Sequence, residues 1–222
     1  MEGRKMVTEA LASDFPVETI LCDAAQAATY ASLLSQGEAA LLPAHVLAAV
    51  CDTKTPQGIA AVVRMGAIAH LGKRLVALDG VQDPGNVGTI LRTADCAGME
   101  GLLLSEQCAD IFSPKVLRAT MGSIFRMPVE VTADLPGRLY ALREQGYSVL
   151  SSQLDGTPFY QRRGVGERYV LVVGNEGNGV SHQVQQLATH RLRLPMRGGA
   201  ESLNAAVAAG IMMYELTREL GE

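Results

Sequence analysis

No apolar run in the 222-residue sequence approaches the roughly 20 residues that a membrane-spanning helix needs. The first residues, MEGRKMVTEALAS, alternate charged and apolar side chains and lack the apolar stretch of a secretory signal, so a cytoplasmic protein is expected. Cysteine is scarce. Cys22, Cys51, Cys96 and Cys108 lie 29, 45 and 12 residues apart, with no CxxC pair and no nearby histidine. Buried, reduced thiols are therefore expected rather than disulfides or metal ligands. His45, His70, His182 and His190 are equally dispersed, and no metal is expected. A basic tail is absent and the net charge is -4, so any nucleic-acid contact has to come from a folded patch. Internal repeats and low-complexity segments are missing too. The nucleotide fingerprints GxGxxG and GxxxxGK[ST] are absent, which discounts a dinucleotide-dependent oxidoreductase.

What is present is ordinary globular composition, 48% hydrophobic and 19% charged, in a chain long enough for one medium domain and a smaller one. Residues 17–23 (VETILCD) read as a strand, 24–36 as a helix, and Ile59–Met65 as another strand, giving a small N-terminal α/β domain over 1–66. A glycine-bearing linker is expected over 67–74. From Leu75 the pattern changes to near-continuous apolar strands at 75–81, 101–106, 148–154, 169–176 and 191–196. They alternate with helices at 86–97, 114–121, 136–145, 181–190 and 202–220. Strands apolar on both faces and separated by helices predict an α/β fold over 75–222, a parallel sheet flanked by helices. In the last helix, Leu203, Val207, Ile211 and Tyr214 follow one another at apolar-face spacing.

Three post-strand segments are unusual, and open α/β sheets place ligands outside the carboxyl ends of their strands. The first, DGVQDPGNVGTILRTADCAG (79–98), has a Pro-Gly turn before Asn86 at an expected helix N-cap, with Arg92 two turns on. The second, GNEGNGVS (174–181), has three glycines that permit close backbone approach, and a carboxylate, Glu176. The third, LPMRGGAESLN (194–204), has paired glycines and a polar Ser-Leu-Asn triplet opening the last helix. Singly these are caps, tight turns and solvated charges; jointly, in this order, they are specific.

In these segments the sequence resembles the SpoU family of RNA 2'-O-ribose methyltransferases, part of the SPOUT superfamily. The likeness is carried by DPGNVGTILRTADCAG (83–98), LVVGNEGNGVS (171–181) and LPMRGGAESLNAAVAAGIMMYE (194–215), with SPKVLRATMGSIFRMPV (113–129) between them. The start EGRKMVTEAL and the stretch TPQGIAAVV (55–63) resemble the family's small RNA substrate-binding domain, shortened ahead of Glu2.

The resemblance implies a deep trefoil knot at the C-terminal end of the sheet, S-adenosylmethionine as methyl donor, ribosomal or transfer RNA as substrate, and a homodimer. It implies cofactor contacts from Gly174, Leu194, Met196, Leu203, Ser151 and Asn175. Catalysis would fall to Arg92, with Asn86, Glu176, Ser202 and Asn204 around it. A guanidinium is a poor literal base, because bringing it from about 12.5 to near 7.5 costs roughly 7 kcal/mol at 1.36 kcal/mol per unit. A phosphate clamp is the preferred role, with Glu176 orienting Arg92 and Asn86 holding the ribose oxygen. Expected RNA contacts are Arg64, Lys115, Arg118 and Arg126, with less weight on Arg162 and Arg163. The small residues Ala205, Ala206, Ala208, Ala209 and Gly210 let another helix pack closely, and in this family that surface belongs to the dimer. The alternative is a noncatalytic RNA-binding or ribosome-assembly protein that keeps the knotted fold; intact motif residues favour the enzyme.

Overall fold

The computed structural model describes residues 1–66 and 70–218. The expected linker lies partly on 67–69, and the expected end of the last helix on 219 and 220, all outside the described residues. The described chain forms two compact units, one of residues 1–66 with 120–126, the other of 70–119 with 127–218.

The smaller unit holds α1 (Arg4–Leu11), β1 (Val17–Asp23), α2 (Ala31–Leu34), β2 (Ala39–Leu42), α3 (Ala44–Val50) and β3 (Ile59–Val63). Its sheet has the order β2-β1-β3, with β1 parallel to β2 and antiparallel to β3. In β1 the side chains of Ile20 and Cys22 turn inward, as period-two alternation requires, and meet Val7, Tyr30, Leu33, Ile59 and Ala61. The single helix expected over 24–36 is instead a 3-10 turn, Ala24–Gln26, followed by the short α2. Asp23 caps the turn by accepting from Ala25 N, and buried Tyr30 donates its hydroxyl to Gln57 O at 2.6 Å, so tertiary anchoring overrides helix propensity. Thr120–Arg126, which lies inside the stretch expected as one catalytic domain, packs with this unit: Phe125 meets Phe15 edge-on at 5.5 Å, and Arg126 pairs with Glu9.

The larger unit runs β4 (Arg74–Asp79), α4 (Pro84–Cys96), β5 (Leu102–Ser105), α5 (Pro114–Thr120), β6 (Val129–Thr132), α6 (Leu135–Glu144), β7 (Ser148–Pro158), β8 (Tyr169–Gly174), α7 (His182–Leu187), β9 (His190–Arg193) and α8 (Ala205–Thr217). Its sheet is parallel throughout, in the order β6-β5-β4-β8-β7-β9. Leu75, Val76, Ala77 and Leu78 of β4 are all buried, as are Val170 to Val173 of β8, because helices cover both faces. The five expected strands are present, with ends shifted by a few residues. A sixth, β6, was not expected: Val-Glu-Val-Thr at the sheet's edge is too polar to read as a doubly covered strand.

Two expectations about α8 are corrected. Leu203 precedes the helix, and Val207, Ile211 and Tyr214 do not line its inward face: the four are 40%, 50%, 39% and 55% exposed. The inward face is Ala206, Ala209, Met212 and Met213, and the helix that packs closely on it is the chain's own α4. Cysteine is corrected as well, since Cys96 at the end of α4 is exposed; all four thiols are free.

Close packing also governs α4. A Cβ built on Gly88 would lie 2.5 Å from Ala119 Cβ and 2.7 Å from the Val116 carbonyl of α5. Gly88→Ala is therefore expected to destabilise the protein: overpacking costs about 1–3 kcal/mol, more than the gain of about 1 kcal/mol in helix propensity. Thermal melting checks this, and a variant as stable as wild type would show that α5 moves aside freely.

Candidate active site

The loops after β4, β8 and β9 all leave the carboxyl edge of the sheet, and β4 and β8 are hydrogen-bonded neighbours there. After β4, Asp83 rather than Asn86 caps α4: its side chain accepts from Asn86 N at 2.8 Å, and Pro84 occupies the first turn, where its missing N–H costs nothing. Ser202 is likewise not the cap of α8. Asn204 is, its Oδ1 accepting from Ala206 N at 2.9 Å and Val207 N at 3.2 Å. Both true caps, an Asp three residues before Asn86 and an Asn ending the triplet, are legible as capping patterns.

Displacing Asn86 from the cap leaves its side chain for another task. Buried on α4, it donates from Nδ2 to Glu176 Oε1 at 2.9 Å, and its Oδ1 accepts from Asn204 Nδ2 at 2.9 Å. The direction of this chain is fixed from both ends. Asn204 Oδ1 faces backbone donors, so its Nδ2 has to face Asn86; Glu176 is an acceptor, so Asn86 has to present Nδ2 to it. Glu176 also accepts from Gln82 N and Asp83 N, each at 3.3 Å. Partial burial pushes the Glu176 carboxyl up, but the Asn86 amide and the backbone N–H groups of Glu176, Gln82 and Asp83 together hold it below the usual glutamate range.

The second loop is stitched to the first at two further points. Asp79 Oδ2 accepts from Ser181 N at 2.7 Å, and Asn175 Nδ2 donates to Gly80 O at 2.8 Å. Asn175 Oδ1 accepts from Gly177 N and Asn178 N, so this side chain shapes its own loop and ties it to its neighbour. Asp79, Asp83 and Asn175 are thus organising residues of the site; of these, the sequence had suggested only Asn175, and as a cofactor contact. Gly174 has a packing reason of its own, because a Cβ there would sit 2.1 Å from the backbone of Gly179 and Val180.

The remaining expected residues are placed as follows. Ser151 is fully buried on β7 and accepts from Gln153 Nε2. Leu194 and Met196 are half-buried, while Ser202 and Leu203 are exposed. Arg92 is exposed on α4 and makes no hydrogen bond or ion pair with any described residue; Glu176 is engaged by Asn86 and does not orient it. The expected RNA contacts are mostly committed within the chain. Arg64 makes a two-point contact with Glu18, Arg126 pairs with Glu9, and Lys115 lies 3.9 Å from Asp83. Arg118 sits in the last turn of α5. Arg162 stacks over Phe159 at 4.6 Å and donates to Glu215 O at 3.1 Å, near the C-terminal end of α8.

Comparison with known proteins is consistent across the chain. Residues 73–214 match the SpoU rRNA Methylase family, and residues 1–61 match the MRM3-like substrate binding domain. The chain is 39% identical over 218 residues to the 23S rRNA (guanosine(2553)-2'-O)-methyltransferase RlmP of Bacillus subtilis (strain 168), covering 97% of this chain and 87% of that protein. Among solved structures, the AdoMet-bound rRNA methyltransferase from Sinorhizobium meliloti is similar at a TM-score of 0.87 and 32% identity, over 100% of this chain and 87% of that one. The SpoU methyltransferase AviRb from Streptomyces viridochromogenes, in complex with AdoMet, also gives 0.87, at 28% identity over 99% of this chain and 89% of that one.

The hydrogen bonds to Glu176 have a pH consequence. A carboxyl whose folded pKa is depressed contributes stability that is present above its unfolded pKa of about 4.3 and is lost as pH falls through the lower, folded value. Asn86→Ala removes the largest stabilising contact, so the Glu176 midpoint, followed by carboxyl-carbon NMR, is expected to move upward. An unchanged midpoint would show that Asn86 does not hold the charge.

Proposed function

The chain belongs to the SpoU rRNA methylase family, and on that premise we propose that it transfers a methyl group from S-adenosylmethionine to a ribose 2'-hydroxyl of ribosomal or transfer RNA in the cytoplasm. The observation that carries this reading is the Glu176–Asn86–Asn204 hydrogen-bond chain, which brings the post-strand loops after β4, β8 and β9 into one site.

The residues present fit the cofactor. Leu194 and Met196 are half-buried and Leu203 is exposed at the end of the third loop, apolar side chains suited to a nucleoside, and Glu176 supplies a carboxylate held ionised, compatible with a cationic donor. Leu194, Met196, Leu203, the Gly174 backbone and Ser151 would hold the group; the Asn175 amide is spent on its own loops. When bound, S-adenosylmethionine supplies an electrophilic methyl on a sulfonium.

A ribose hydroxyl is a weak nucleophile until its proton is drawn off or polarised. Glu176 is poorly suited to that work, since hydrogen bonds to its carboxylate lower its basicity, and it acts by fixing Asn86. Asn86 keeps one Nδ2 hydrogen and Asn204 keeps one, and with the Ser202 hydroxyl these are the donors left to hold ribose and phosphate oxygens. The Arg92 guanidinium, without a partner among the described residues, clamps the RNA phosphate and so positions the hydroxyl.

The smaller unit is read as the RNA substrate-binding domain, supported by its match over residues 1–61. A deep trefoil knot is assigned to the C-terminal part, supported by β9 pairing outside β7 while β8 lies inside it, and by α8 returning onto α4. A homodimer is supported by the apolar stripe Val207, Ile211 and Tyr214 that α8 leaves exposed.

Mapping of 2'-O-methylated positions in total RNA tests the activity: deletion of the gene is expected to erase a site and the wild-type gene to restore it. Complementation with Arg92→Lys is expected to lose most of that methylation through loss of the fork geometry, while cofactor affinity by calorimetry stays unchanged. Near-wild-type turnover in Arg92→Lys would remove the clamp.

A further inference from the structure

Most cations with a defined partner in this protein are spent internally. Arg64, Arg74, Arg126, Arg138, Arg162 and Arg218 each face a carboxylate. Around β9 the pattern reverses. Residues 190–197, HRLRLPMR, contain a histidine and three arginines and no acid. Leu192 is buried against the sheet, and alternation then turns its neighbours Arg191 and Arg193 to the other side, Arg191 exposed and Arg193 half-buried. Arg193 is steadied by Nε, which donates to Gly156 O at 3.0 Å. A contact of 2.9 Å between His190 Nε2 and the Arg163 carbonyl places a fourth exposed arginine at the amino end of β9. Arg163, Arg191, Arg193 and Arg197 make no ion pair with any described residue. Asp155 on β7, Glu201 in the third loop and Glu167, which is paired with Lys73, are the carboxylates of the adjoining segments, so the local balance stays positive.

The placement of this stripe is as informative as its charge. β9 is the outermost strand of the sheet, and among the described residues no strand pairs with it on the side away from β7. It runs at its carboxyl end directly into the loop 194–204, where Arg197 is exposed and Asn204 is bonded to Asn86. Guanidiniums that face no carboxylate among the described residues are available to a polyanion. Guanidinium forks also match phosphate oxygens in two-point geometry, which ammonium groups do not.

We propose that Arg163, Arg191, Arg193 and Arg197 form a track that holds the phosphate backbone of the RNA along the β9 edge and leads it to the methyl-transfer site. This inference rests on the RNA-methylation reading given above. It moves the main electrostatic contact from Arg64 and Arg126, which are internally paired, to the larger unit itself.

The test uses the full chain and unmodified 23S ribosomal RNA transcribed in vitro. Binding is measured by filter retention at several salt concentrations with S-adenosylhomocysteine present, and methyl transfer is measured separately with S-adenosylmethionine. The double variant Arg163→Gln/Arg191→Gln is compared with Arg143→Gln, which removes an exposed charge from α6. For the double variant, the slope of log affinity against log salt is expected to fall by about 1 per arginine removed, and KM for the RNA to rise, with melting temperature and cofactor affinity unchanged. Arg143→Gln is expected to keep the wild-type slope. A double variant with the wild-type slope and KM overturns the track, whether or not methyl transfer occurs. If the slope falls as expected but the wild-type protein transfers no methyl to RNA, the track stands and the functional reading fails.

Discussion

One buried amide holds the candidate site together. Asn86 sits on α4 with its oxygen toward Asn204 and its nitrogen toward Glu176, so a single side chain touches the loops that follow β8 and β9 from the loop that follows β4. Neither end can reverse, because backbone N–H groups orient Asn204 and an ionised carboxylate orients Asn86. The sheet contributes by placing β4 beside β8, so that two of these loops start as neighbours. The α4–α8 packing contributes by setting the first turns of the two helices side by side. Everything proposed for catalysis follows from what this arrangement leaves unspent among the described residues: one hydrogen each on Asn86 and Asn204, the Ser202 hydroxyl, and the guanidinium of Arg92.

The loops are not held equally. Asp79, Asn175 and Glu176 stitch the second loop to the first along its length, whereas the third, 194–204, meets the first through Asn204. Residues 197–203 of that loop are exposed, and its paired glycines have open space around them. A rigid two-loop floor with a loosely attached third loop suits a site that must admit both a cofactor and a polymer. Arg197 stands on that third loop, which links the arginine row of β9 to the same region.

Much of this was legible in the residues. The parallel sheet followed from apolar runs such as Leu75 to Leu78, since only strands covered on both faces read that way. The convergence of the segments around Asn86, Glu176 and Asn204 followed from their positions after strands. The rest is not legible for physical reasons. β6 is an edge strand with Glu130 and Thr132 in four residues, too polar to signal itself. The exposure of Val207, Ile211 and Tyr214 is not legible because their spacing has the periodicity of a core face, and periodicity does not say whether that face meets the chain's own core or remains exposed. Asn86 reads as a cap, but Asp83 three residues earlier competes for the same role and wins. Arg64 and Arg126 read as available cations because their carboxylate partners, Glu18 and Glu9, are distant in sequence.

The claim that the Asn86–Asn204 contact assembles the site is tested most directly by a double-mutant cycle on cofactor affinity, measured calorimetrically for Asn86→Ala, Asn204→Ala and the pair. Side chains that act as one unit are expected to give a coupling energy of about 1 kcal/mol or more, within the usual range for residues in contact. Losses that add to within about 0.3–0.5 kcal/mol, as for independent sites, would contradict it.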